Sequence, residues 1–500
     1  MSDGVVIGVD VGTTSVKAVA HRADGTVVAS ADRGYPLHSP RPGWSEQDPD
    51  QVVDAVLTAI ADVVASAGHR AVAAIGLGTV MHSLIGLDGD DHALTPMLTF
   101  ADSRAWPQAQ RIRRDTGFAL YHATGTPLHP MAPLAKLLWF HEERPDLCRR
   151  VRRWVSIKEH LLRRLCDSDV VDHAVASATG LFGIETLDWH PEALALAHVD
   201  AGQLGQPVPT STVLEHLTPG AAEQLGLDPQ TPVVIGASDG VLANLGVGAL
   251  DPTVAALTIG TSGAIRVTVP QPRTDPDMRT FCYALTGRRW VLGGAISNGG
   301  LVLQWAHNLF GGDDYDAMVA EAGRIAPGSG GLVMLPYLTG ERAPRWTPLH
   351  GGVLFGLRVE HERGHVVRAA LEGVALQLRL VADALRDAGA ELHRLRVTGG
   401  FVASDLWLQI VADVLDAELE VPDVNEAVAW GAALLAMDGV DMIDDLDVAC
   451  DQLAIARAVA PETAAVGRYD RVAGRYANLT EHLEPLLGDA ALTGADEQET

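Results

Sequence analysis

Cysteine is scarce in this chain. Cys148, Cys166, Cys282 and Cys450 lie far apart, with no CxxC pair among them. Such spacing argues against a zinc site or a disulfide framework and fits reduced thiols in a cytoplasmic protein. Lysine is scarce too: Lys17, Lys136 and Lys158 stand alone, and arginine fills every other basic position. Positive charge is short overall, with 37 Lys and Arg against 64 Asp and Glu, a formal net charge of −27. A nucleic-acid partner needs a basic surface, so none is expected. A small anionic substrate would need local cations set against the overall field. Long apolar runs are missing as well, so no membrane span is expected. Residues 2–4 are polar and an apolar strand follows at once, which leaves no room for a signal peptide. What is present suits a folded chain of two or more domains: 500 residues, 47% apolar and 20% charged.

The organising stretch is IGVDVGTTSVKAV, residues 7–19. Val5 to Val9 reads as a strand closing on Asp10. Gly12-Thr13-Thr14-Ser15 reads as a tight turn, and Val16 to Ala20 as a second strand. Gly12 can take a backbone shape denied to other residues, and the next residues offer N–H groups and three hydroxyls. Such a turn can cradle phosphate, with Asp10 at its mouth to hold Mg²⁺. An ordinary hairpin with an Asp at its turn fits the same residues. The pattern recurs half a chain later in VAALTIGTSGAIRVTV, residues 254–269, where Gly260 and Thr261 echo Gly12 and Thr13. Two copies in the same strand–turn–strand context imply a duplicated α/β unit, with two phosphate-gripping turns facing one cleft.

Between the copies, Asp48 caps a helix that starts at Pro49, carries Val52, Val56, Ile60 and Val63 on one face, and stops near Gly68. A strand from Ala71 to Leu77 leads to Met81 and His82; Asp102 and Arg104 end a later segment. Lys158 lies early in a helix, within a helical stretch 131–166, and reads as a surface charge paired with Glu159 or snorkelling. Residues 172–189 read as a polar lining loop. The strand in 231–238 runs into Asp239 at a helix start, where the helix dipole should keep the carboxylate ionised at neutral pH. Taken alone, Asp239 is more simply an N-cap. Further on, Val367, Leu371, Val374, Leu378, Val381 and Leu385 form a core stripe that Gly389 ends. Gly399 and Gly400 sit between a strand and a helix capped by Ser404, where a nucleotide could approach the backbone closely; a plain turn explains them nearly as well. Residues 425–440 read as a small-residue helix for close packing, and the tail after Leu487 as acidic and frayed.

Together these stretches resemble the FGGY family of carbohydrate kinases. DVGTTS and IGTSG are similar to its two phosphate hairpins. GWSEQDP, MAPLAKLLWF, GVLFGLRVEHERGHVVRAALEG and VTGGFVASDLWLQIVAD resemble four further characteristic segments, and the likeness runs from residue 5 to about 440. Within the family, TFADSRA, WVSIKEHLLRRL, DHAVASATGLF and LTGERAPRW look most similar to gluconokinases. The resemblance implies two duplicated ribonuclease-H-like (actin-like ATPase) α/β domains with an interdomain cleft. Residues 1–246 would form the sugar side, 247–487 the nucleotide side and 488–500 an acidic tail. It implies ATP, Mg²⁺ and phosphoryl transfer to a sugar hydroxyl, with gluconate becoming 6-phosphogluconate. A kinase for xylulose or another pentulose is the nearer alternative; a non-enzymatic actin-like assembly or regulatory protein is the more distant one.

The resemblance also distributes roles. Asp239 matches the general base and Asp10 the Mg²⁺-associated carboxylate. Gly12, Thr13, Thr14, Ser15, Gly260 and Thr261 match the phosphate turns. Gly300, Gln304 and Gly400 match nucleotide contacts, with Gly399 and Ser404 alongside, and Met81 and His82 match the sugar-contacting pair. A sugar acid needs a cation, for which Lys158 and then Arg104 are the candidates, His82 being better suited to a hydroxyl. Phe100 stands where many members have Trp, and Ser404 where some have Asn. The oligomeric state, a homodimer included, is left open.

Overall fold

The computed structural model describes residues 4–68, 70–286, 288–311, 314–347 and 351–496. Each half of the chain is built on one open sheet. The first has the strand order Val213–Leu214, Val233–Ser238, Val72–Thr79, Val5–Val11, Ser15–His21, Val27–Gly34. Its central strand Val5–Val11 is parallel to Val72–Thr79 and antiparallel to Ser15–His21. Val5, Val6, Ile7, Val9 and Val11 are all fully buried. That continuous apolar run is what a strand covered on both faces requires.

The second sheet repeats the plan. Its order is Phe281–Thr286, Arg289–Ile296, Gly263–Val269, Val254–Ile259, Arg394–Thr398, Glu418–Pro422, Ile455–Val459. Again the leading strand pairs antiparallel with the next in sequence and parallel with one reached by a helical crossover. The crossover helices are the two expected from periodicity. Pro49–Ser66 is capped by the Asp48 side chain, which accepts from the N–H groups of Asp50 and Gln51. Arg363–Asp387 buries the whole stripe from Val367 to Leu385. The duplicated α/β unit is therefore present in both halves.

The halves are joined by an exchange of helices. Ala427–Gly439 packs on helix Asp239–Gly246 and lies across Val5–Val11 and Val72–Thr79 of the first sheet. Small residues allow this close approach. A Cβ on Gly8 would stand 1.9 Å from the Ala429 carbonyl oxygen, and one on Gly76 2.1 Å from that of Ala432. Lys17 adds an ion pair to Glu426, 2.8 Å away, across the same seam. Composition alone pointed to a tightly packed helix at 425–440, but not to its seat on the other half's sheet.

Two local expectations change. The stretch 131–166 is not helical throughout: Arg153–Val155 is a strand that pairs with Ile85–Leu87. The C-terminal helix runs from Thr463 through Asp496, where a frayed tail was expected after Leu487. Residues 497–500 of that tail lie outside the described residues. Among the described residues no helix is long and apolar enough to cross a membrane.

Candidate functional site

The site grows from strand ends. Val72–Thr79 and Val233–Ser238 run parallel and finish side by side. Beyond the first, His82 turns with φ 67°, and its Nδ1 lies 2.7 Å from the Ala178 carbonyl oxygen. Burial lowers the His82 pKa to about 3, so the ring is neutral. With Nδ1 donating to a carbonyl, Nε2 is left as the acceptor. Beyond the second strand, Asp239 opens helix Asp239–Gly246 and its Oδ1 accepts from the Gly240 N–H at 2.7 Å.

Met81, His82, Phe100 and Asp239 line a cavity of about 220 Å³ together with Thr13, Gly260, Ser262, Arg266, Tyr283, Arg342 and Trp346. Both turns thus reach one space. A second cavity of about 710 Å³ is lined by Gly260, Thr261, Gly300, Gln304, Gly400, Phe401 and Ser404. Gly260 belongs to both walls. The two cavities therefore adjoin at the second turn, with Asp239 on the wall of the smaller one.

The electrostatics are set by burial. The Asp239 pKa is raised above the ordinary 3.8 by desolvation, against the opposing pull of the Gly240 N–H, Arg266, Lys158 and Arg342. The helix dipole alone had suggested a firmly ionised carboxylate; burial outweighs it, because removing water disfavours the charged form. Asp10 is pushed up to about 7 by burial and by the neighbouring carboxylates of Asp239 and Glu426, with Lys17 opposing. Its Oδ1 is shut off from solvent and has no hydrogen-bond partner among the described residues. Arg266 is lowered to about 10 by burial, and its Nε and Nη1 are likewise unpartnered. Arg342 donates to the Ile296 carbonyl at 2.8 Å and stands over the Phe100 ring.

Several expected residues shape the backbone of the site, and only some of them also line it. The Gly12 N–H bonds to the Ser15 carbonyl, and the Tyr35 hydroxyl donates to the carbonyls of Gly12 and Ser15 at 2.6 and 3.1 Å. The Thr14 carbonyl accepts from the Tyr35 N–H. Gly12, Thr14 and Ser15 thereby shape the turn, and Thr13 alone of the four lines the cavity. Gly399, at φ 100°, lets the chain pass where a Cβ would lie 2.3 Å from the Ile259 carbonyl oxygen. The Ser404 hydroxyl caps its helix by accepting from the Trp407 N–H.

Lys158 and Arg104 are not brought to the cavity. Lys158 is fully buried and paired with Asp172 at 2.8 Å. Arg104 is held by Asp102 and Glu46, both at 2.7 Å, and its guanidinium sits 3.6 Å from the centre of the Trp44 ring. Each is saturated by local partners, so neither serves the role of cavity cation. Arg266 and Arg342 occupy that position instead, and both come from the second half. The smaller cavity thus draws on both halves, where the sequence assigned the sugar side to residues 1–246. One signal for Arg266 was visible: it is the single charged residue in the strand Gly263–Val269.

Comparison with known proteins accords with this layout. Residues 5–246 match the N-terminal domain of the FGGY family of carbohydrate kinases, and residues 255–439 match its C-terminal domain. The chain is 40% identical over 492 residues to a gluconokinase of Bacillus licheniformis, covering 96% of each. Its structure is similar to that of a gluconate kinase from Lactobacillus acidophilus, with a TM-score of 0.93 and 34% identity over 97% of this chain and 99% of that one. A ligand-bound xylulose kinase from the same organism is similar to the same degree, with a TM-score of 0.93, 33% identity and the same coverage. Likeness of this extent to sugar kinases sets aside a non-enzymatic actin-like assembly or regulatory protein. The chain belongs to the FGGY family of carbohydrate kinases and is an ATP-dependent sugar kinase.

Proposed function

We propose that the acceptor is D-gluconate and the product 6-phosphogluconate. The observation that carries this reading is the set of unpartnered donors around the smaller cavity. Arg266 Nε and Nη1, Tyr283 Oη and Trp346 Nε1 are all closed off from solvent without a hydrogen-bond partner among the described residues. Buried donors are costly when unmet, so a ligand rich in acceptor oxygens would satisfy them. A guanidinium with two free N–H groups suits a carboxylate in particular. The 40% identity to a protein named as a gluconokinase supports the same choice.

The chemistry follows from position. Asp239 accepts the proton of the attacking hydroxyl as that oxygen bonds to the γ-phosphorus of ATP and the bond from that phosphorus to the bridging oxygen breaks, releasing ADP. Neutral His82 accepts from a substrate hydroxyl through Nε2. Thr13 and the Gly260–Ser262 turn hold the transferring group between the two cavities, and Gly300, Gln304, Gly400 and Ser404 form the seat of ATP, with Gly399 shaping the turn behind them. Asp10 is the residue that would hold Mg²⁺, since an unpartnered carboxylate oxygen among like charges suits a hard cation. Bound there, the ion would neutralise charge on phosphate oxygens.

A panel of gluconate, xylulose, other pentuloses and neutral hexoses, read by ADP release, tests the acceptor. Gluconate should give the highest kcat/KM. A xylulose preference would overturn the reading in favour of the pentulose kinase, to which the structural likeness at 33% identity also points.

A further inference from the structure

In a chain that uses arginine almost everywhere, two of the remaining lysines, Lys136 and Lys158, are fully buried beside the cavity. Neither lines it. Each ammonium instead grips backbone carbonyls next to residues that do. Lys158 Nζ donates to the Ala237 carbonyl at 2.8 Å and lies 3.5 Å from that of Leu77. Ala237 stands two residues before Asp239. Lys136 Nζ donates to the carbonyls of His82 at 2.6 Å and Thr99 at 2.7 Å. Thr99 is the residue before Phe100, another cavity residue.

The strand ahead of Asp239 needs such a grip. Its register against Val72–Thr79 breaks between Val234 and Ala237. Gly236 sits in the bulge at φ 67°, where a Cβ would come within 1.9 Å of the Leu77 carbonyl oxygen. A bulge bends its strand and interrupts the ladder that would otherwise hold it. Lys158 bridges the two strands at that break. Its own place is fixed by a capping box, in which Ser156 Oγ accepts from the Glu159 N–H and Glu159 accepts from the Ser156 N–H. Asp172, the ammonium's counter-ion, is wholly buried and also caps helix His173–Ser177.

We propose that Lys158 and Lys136 are positioning residues, Lys158 fixing the bulged strand end that presents Asp239 and Lys136 fixing the segments that present His82 and Phe100. An ammonium is a compact donor that can reach several carbonyls converging on one point. A planar guanidinium is larger and directs its N–H groups in a fixed fork. Lysine at these two positions is thus a geometric requirement, distinct from the cation that faces the sugar. The inference rests on Asp239 as the base but not on the identity of the sugar.

The test measures kcat, sugar KM, ATP affinity and Tm with whichever sugar is turned over. The variants are Lys158→Arg, the double variant Lys158→Met/Asp172→Leu, Lys136→Arg and, as control, Asp239→Asn. The double variant removes both buried charges, so no carboxylate is left unpaired if Lys158→Arg fails to fold. For the Lys158 variants kcat should fall about 10²-fold, the scale of a 1 Å misplacement, while sugar KM stays within about twofold. Lys136→Arg should instead raise sugar KM, by about tenfold, with the smaller change in kcat. A folded Lys158 variant with wild-type kcat overturns the proposal. So does one that raises sugar KM at unchanged kcat, which would make Lys158 a substrate cation. If Asp239→Asn keeps its turnover, the base assignment fails and the positioning role falls with it. If Asp239→Asn is inactive and the lysine variants match the wild type, only the positioning role is lost.

Discussion

The two hairpins share a frame and differ in what they carry. In each, the glycine N–H is locked onto a carbonyl within its own turn, Gly12 to Ser15 and Gly260 to Ser262. Where the first hairpin has Asp10, the second has Thr258, which meets Thr398 Oγ1 at 3.2 Å. Where the first has Ala18 on the outgoing strand, the second has Arg266. The first turn is closed over by Tyr35, whereas a Cβ on Gly260 would meet nothing within 4 Å. One copy therefore offers a carboxylate behind a turn braced by a tyrosine hydroxyl, and the other a guanidinium behind a turn whose Gly260 and Thr261 carbonyls accept from the backbone N–H groups of Gly299, Gly300 and Leu301. Duplication kept the backbone and let the charges diverge, which suits the proposed pairing of a cation-bound phosphate with an anionic acceptor.

The largest expected effect concerns the carboxylate proposed as the base, beside the second copy. Asp239→Asn should lower kcat by ~10²–10⁴-fold with ATP binding and Tm retained, measured by steady-state kinetics and calorimetry. The wild-type pH profile bears on the same group. A base works ionised, so kcat/KM should fall as pH drops through a value above the ordinary 3.8, because burial raises the Asp239 pKa. An acid limb at or below 3.8 would remove that assignment.

Next comes the charge that distinguishes the hairpins. Arg266→Met should cost about 10²-fold in gluconate kcat/KM, within the range of 2–5 kcal/mol for truncating one partner of a buried charge pair. Neutral sugars should be affected less, and equal losses across the panel would assign Arg266 to the phosphate instead. Asp10→Asn should raise the Mg²⁺ concentration for half-maximal rate by about tenfold or more, read from a metal titration. Were the titration unchanged, the contrast between Asp10 and Thr258 would carry no metal role.

The smallest effect tests the brace. Tyr35→Phe removes the hydroxyl that donates to the Gly12 and Ser15 carbonyls, and should cost about 1 kcal/mol of stability in denaturant unfolding. No loss would mean that the first turn holds its shape without the tyrosine hydroxyl, as the second does with backbone donors alone.

Much of this was legible in local pattern. The two hairpins, the helix after Asp48 and the stripe from Val367 to Leu385 follow from periodicity and capping, which act within a few residues. Local pattern placed Met81, His82 and Asp239 at strand ends, but their roles came only from the likeness to the kinase family, since taken alone Asp239 reads as an N-cap. The cations were not legible. Arg104 reads as a free charge near a strand end, yet it folds back under Trp44 onto Asp102. Arg342 lies in a segment whose likeness to sugar kinases was plain, but nothing local shows that it lines the same cavity as Asp239 from the other half.

By itself, then, the sequence determined the duplicated unit and its two turns, since turn glycines and apolar alternation encode backbone shape locally; the class of chemistry came through its likeness to the FGGY kinases. Only the tertiary structure decided which charges face the substrate. In sequence, Lys158 reads as a surface charge beside Glu159 and Arg266 as a lone cation in an apolar strand. One is consumed by Asp172 and backbone carbonyls, and the other is left with unpaired N–H groups on a cavity wall. A charge's role depends on what remains unpaired around it, and that is settled by contacts between residues far apart in the chain.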